Sequence, residues 1–147
     1  MKKTLKTISV LSLMLMLIIC TVSCKNNVEP TGLWQSATYT EDTELGEGKI
    51  EIFVDVVAEN QKITLTVNTD KENLGDALFE HSLINDASFF DTVIGIKADY
   101  SENEAWWKLC ELKTENGEEK SVMLNFGADD APISEGIHYQ LIYTVGF

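Results

Sequence analysis

The stretch from Lys49 to Val67 limits the folds open to this chain more than any other. Ile50, Ile52, Val54 and Val56 alternate with Glu51 and Asp55, and Ala58-Glu59-Asn60 then breaks the pattern. Alternation resumes with Ile63, Leu65 and Val67 against Lys62, Thr64 and Thr66. Neighbouring strand residues point to opposite faces, so each run has an apolar side that must be covered. Two period-2 runs joined by a short polar loop predict a β-hairpin.

The period changes at Asn73, a residue type that caps helices, with Asp76 three positions on. Leu74, Ala77 and Leu78 fall on one helical face with Phe79 and Leu83 beside them, and Asn85-Asp86 is the expected end. Gly75 weakens such a helix by about 1 kcal/mol relative to alanine, and so short a helix needs a sheet beneath it. Strand signals return from Phe89 to Lys97 around Gly95, and again from Ala105 to Leu112. A turn follows at Glu115-Asn116-Gly117-Glu118, then a strand at Ser121 to Phe126. Residues 127–136 read as a loop, and Tyr139, Leu141, Tyr143 and Val145 alternate in a last strand. This order predicts an α+β domain: an opening hairpin, one helix packed on a mixed sheet, and further strands, in a β-grasp-like arrangement. Its core is expected to hold Ile52, Val54, Leu65, Leu74, Leu78, Leu141 and Tyr143.

The N-terminus reads as an address. Lys2, Lys3 and Lys6 precede an apolar run from Ile8 to Cys20, shorter than the roughly 20 residues a spanning helix needs. Thr21-Val22-Ser23-Cys24 resembles a bacterial lipobox, with Thr21 where leucine is usual. Residues 1–23 are therefore expected to be a cleaved lipoprotein signal peptide, Cys24 the lipidated residue, 24–32 a linker and 33–147 the domain. The chain should then be held by lipid, such as palmitate, on the extracellular face of the membrane.

Cleavage would remove three lysines and no acid, moving the net charge from −13 to −16, and there is no arginine. So acidic a surface repels phosphate backbones and anionic headgroups, which argues against a nucleic-acid partner. Of three cysteines, only Cys110 stays as a free side chain in the domain, so the core must hold without an internal disulfide. His81, expected on the helix surface, and His138 have no Cys or His at ligand spacing, so no metal or other cofactor is expected. No nucleophile is visibly paired with a base, and no glycine-rich phosphate cradle is present, so no enzyme activity and no catalytic residue are expected.

Four segments carry a family likeness: LWQSATYTEDTELGEG at 33–48, TDKENLGDALFEHSLI at 69–84, VIGIKADYSENEAWW at 93–107 and NFGADDAPISEGIHYQLIYT at 125–144. In this order they make residues 33–147 resemble the transcobalamin-like C-terminal domain of Gram-positive surface lipoproteins. The resemblance implies a β-grasp-like fold and a cell-surface location. In vertebrate members the domain closes over cobalamin beside a helical barrel, and some bacterial members look like accessory parts of vitamin uptake. Residues 84–88 lack the glycines usual after the helix, and Lys108 to Leu124 is longer than the family pattern.

The candidate ligand-binding residues are Trp106, Tyr100, Asp129 and Asp130. Trp107 shares a strand face with apolar Leu109 and is expected in the core, whereas Trp106 shares one with Lys108 and is expected to face a ligand. Residues 98–105 and 127–136 are the expected rim. Two functions follow. The first is a binding module for a small molecule, a corrinoid or other vitamin-like compound. The second is a surface protein-interaction or adhesion module, whose partner would be a transporter or another surface protein.

Overall fold

The computed structural model describes residues 29–146; Cys20, Cys24 and the whole expected signal peptide lie outside the described residues. Among the described residues, eight strands form two sheets. The larger is built from β1 (Thr43–Leu45), β2 (Ile50–Ala58), β3 (Gln61–Thr69), β6 (Ala105–Glu115), β7 (Glu118–Met123) and β8 (His138–Val145). Its order is β1-β3-β2-β8-β6-β7, with β1 parallel to β3, β2 parallel to β8 and the other neighbours antiparallel. The smaller sheet is a hairpin of β4 (Thr92–Val93) and β5 (Ile96–Lys97). The helices are α1 (Leu74–Glu80) and the single turn α2 (Tyr100–Asn103), with 3-10 turns at Gly32–Ser36 and Ala128–Asp130. The domain is α+β.

The alternation read in the sequence becomes the two faces of the sheet. Register pairs Val54 with Leu65 and with Tyr139, and Leu109 with Leu141, so these side chains share the buried face. Ile52, Val54, Leu65, Leu74, Leu78 and Leu141 are buried there, and Tyr143 packs half-buried against them. Trp34, from the first 3-10 turn, joins this core and donates its indole N–H to the Ala58 carbonyl at 3.0 Å.

Asn73 caps α1 as its side chain predicts: Oδ1 accepts the Asp76 amide at 2.8 Å. The helix ends at Glu80, short of the expected Asn85-Asp86. Ser82 takes a positive φ of 55°, and the Leu83 amide returns to the Leu78 carbonyl at 3.0 Å, turning Leu83 into the core. His81 is the C-cap, half-buried, with its ring against Gly46 rather than on an open helix surface. Phe89 to Lys97 is not one strand. Phe89-Phe90-Asp91 is loop, and Ile94 and Gly95, at φ 46° and 86°, fold the rest into the β4–β5 hairpin. The hairpin after β6 turns at Asn116-Gly117, both with positive φ, and its second strand starts at Glu118, earlier than the apolar pattern suggests.

Candidate functional site

Two clefts meet on one side of β6. Ser88, Phe89 and Phe90 wall the first and Phe90 and Asp91 the second, at the end of a segment, Asn85 to Asp91, that is braced by its own side chains. Asp86 Oδ1 accepts the amides of Ser88 and Phe89, both at 2.9 Å. These bonds hold the Asp86 carboxyl below the ordinary carboxylate range. Asn85 Oδ1 accepts the amides of Asp91 and Thr92, and its Nδ2 donates to Asp91 Oδ1 at 2.9 Å. Ser88 Oγ donates to Asp129 Oδ2 at 2.6 Å, tying this loop to the one after Gly127. Gly75 lets both loops close on α1, because a Cβ there would collide with the Ala87 carbonyl oxygen and lie 2.9 Å from the Asp129 nitrogen. The brace holds out Phe89, which is 91% exposed.

The first cleft has a volume of about 470 Å³ and runs between this loop and the end of β7, lined by Phe89, Phe90, Trp106, Leu109, Leu124 and Phe126 among others. Met123 and Phe126, 57% and 42% exposed, form its far lip. The second cleft, also about 470 Å³, lies over the start of α2 and includes Asp91, Lys97, Asp99, Tyr100 and Trp106 in its lining. Phe90, Trp106 and Trp107 border both, so the two form one groove. In the second cleft Asp99 Oδ1 caps α2, accepting the Ser101 amide at 3.0 Å, the Glu102 amide at 3.2 Å and the Ser101 hydroxyl at 2.6 Å. The Ser101 hydroxyl is the largest influence holding the Asp99 carboxyl below its usual range.

The tryptophans divide by face. Trp107 is 7% exposed, stands edge-on to Tyr143 with ring centroids 5.4 Å apart, and donates its indole N–H to the Ile96 carbonyl at 3.3 Å. Trp106 is half-buried and donates its indole N–H to the Gly146 carbonyl at 3.1 Å. The structure brings Trp106 and Tyr100 together in the second cleft. Asp129 and Asp130 lie in the 3-10 turn outside the residues that line either cleft, Asp129 as the brace to Ser88. Phe89, Phe90, Asp91 and Phe126 were not singled out in the sequence. Their one signal is the Phe89-Phe90 pair, which looks like strand core until Asp86 and Asn85 are seen to fold the segment back. Among the described residues, no group of three or more His, Cys, Asp or Glu side chains could hold a metal ion.

No family model matches the chain, and no curated protein matches it. Solved structures do resemble it. A proposed metal-binding protein from Ruminococcus gnavus ATCC 29149 is 28% identical with a TM-score of 0.53, over 67% of this chain and 100% of that one. Haptocorrin in complex with Cbi is 14% identical with a TM-score of 0.45, over 67% of this chain and 25% of that one. The likeness to the Ruminococcus protein extends over all of that protein and is one of fold.

Proposed function

We propose that this chain is an exported lipoprotein, anchored by lipid on Cys24 at the outer face of the membrane, and that its domain binds a small molecule without transforming it. The joining of two clefts at Phe90, Trp106 and Trp107 carries the reading. Each has a volume in the range of about 300–1,000 Å³ typical of small-molecule sites, with aromatic walls and a few polar groups at one end. A β-grasp assignment is supported by the order β3-β2-β8-β6, in which β2 and β8, the first and last of the four along the chain, are central and parallel, with α1 following the opening hairpin. A corrinoid or other vitamin-like ligand is the finer identity that the family resemblance implies.

Native mass spectrometry of the protein taken from its host membranes, followed by binding of the released compound to wild type and Trp106→Ala, tests the reading. The expected outcome is a co-purified small molecule whose binding falls about tenfold in the variant while the melting temperature hardly moves. Empty wild-type protein, or a variant that binds normally, would overturn it. A second reading, a surface protein-interaction module, is favoured by β7, an edge strand whose six residues are all exposed. It predicts a stoichiometric protein partner in crosslinked membranes.

A further inference from the structure

The two arms of the groove differ in chemistry. The first is apolar, while the second sets two carboxylates, Asp91 and Asp99, among Phe90, Tyr100, Trp106 and Trp107. Among the described residues, the lone cation bordering it is Lys97, whose Nζ already lies 3.5 Å from Asp99 Oδ2. Asp91 differs. Its Oδ1 accepts from Asn85 Nδ2 at 2.9 Å and Thr92 Oγ1 at 2.7 Å, both neutral donors, and among the described residues no cation is paired with it. Asp91 is exposed and lines the second cleft together with the aromatic residues.

Resting on the small-molecule reading above, we infer that the groove takes an organic cation, an alkylammonium or heteroaromatic cation whose apolar body lies against the rings and whose charge faces Asp91. Three physical terms favour that charge. The faces of aromatic rings are negative and attract cations, Trp most strongly. The Asp91 carboxylate supplies an uncompensated opposite charge at the same end of the groove. The acidic excess of the whole chain, 24 Asp and Glu against 11 Lys, raises the local concentration of cations and repels anions. An anion would meet two carboxylates and a lysine whose charge is already shared with Asp99.

The test uses three soluble compounds of similar shape: choline, its uncharged analogue 3,3-dimethylbutan-1-ol, and the anion 3,3-dimethylbutanoate. Each is titrated into the purified full chain at low salt, followed by tryptophan fluorescence and calorimetry. Choline is expected to bind about tenfold more tightly than the alcohol, the anion not at all, and choline binding should weaken as salt is raised. Asp91→Asn, which keeps the shape of the loop brace, should weaken choline about fivefold and leave the alcohol unchanged; a melting curve checks that it folds. If it does not fold, Asp99→Asn and the wild-type ranking of the three compounds decide. The inference is overturned if the alcohol or the anion binds as well as choline, if choline does not bind, or if a folded Asp91→Asn binds it normally. Binding of the neutral or anionic compound that is lost in Trp106→Ala would sink the charge assignment alone, whereas an empty protein from the host membranes that binds none of the three would sink the small-molecule reading as well.

Discussion

Asp55 sits in the middle of β2 with no exposed surface, yet on the face turned away from the hydrophobic core. Its register partners are Thr64 and Gln140, so their side chains rise beside it. Thr64 Oγ1 donates at 2.8 Å, Gln140 Nε2 at 3.0 Å and Lys62 Nζ at 3.2 Å, and His138 Nε2 lies 3.0 Å away. A buried carboxylate survives only with such partners. Burial pushes its carboxyl up, but the bond from Gln140, the adjacent His138 ring and the bond from Thr64 outweigh burial and hold it below the usual carboxylate range. The folded state thus binds this proton less readily than the unfolded one. The stability contributed is present above the unfolded value, about pH 4, and is lost as pH falls through the lower folded value. Asp55→Asn should cost about 1–3 kcal/mol at pH 7 and less at pH 3, below the unfolded value, read from melting curves at the two pH values. Equal losses at both would mean that shape, not charge, is what Asp55 supplies. Trp107→Ala should cost about 3–5 kcal/mol, as for a buried aromatic, while Trp106→Ala should cost far less. Similar losses would erase the division between core and groove.

At the scale of elements, α1 shows how a local penalty is offset by packing. Alanine at position 75 would favour an isolated helix by about 1 kcal/mol. In the folded domain the added Cβ strikes the Ala87 carbonyl and crowds Asp129, so both loops at the groove must shift. Gly75→Ala is therefore expected to lower the melting temperature and weaken ligand capture together. A variant that melts higher would show that the loops yield easily and that Gly75 does not set the groove. The cap at Asn73 and the Asn116-Gly117 turn were legible because each depends on side-chain chemistry within four residues. The end of α1 and the fate of Phe89-Phe90 were not. Both turn on where the chain reverses, at Ser82 and between Asn85 and Asp91, and the reversals are stabilised by core burial of Leu83 and by the Asn85 and Asp86 bonds.

For the whole molecule, the proposed anchor makes a direct prediction. Cys24→Ala should abolish labelling by a clickable fatty acid and leave the precursor uncut, whereas equal labelling of wild type and variant would remove lipid from the account. Sequence alone determined the two-faced hairpin, the capped helix after it, the α+β class and the separation of Trp107 from Trp106, because alternation and period are properties of neighbouring residues. Tertiary structure alone decided the rest. Asp55 reads as an ordinary exposed charge until β3 and β8 bring Lys62, Thr64, His138 and Gln140 around it. The groove exists only where residues 88–91, 97–101, 105–109 and 123–128 converge. Which loops meet is fixed by strand order and by one missing Cβ at Gly75, contacts between residues far apart in the chain that no local pattern records.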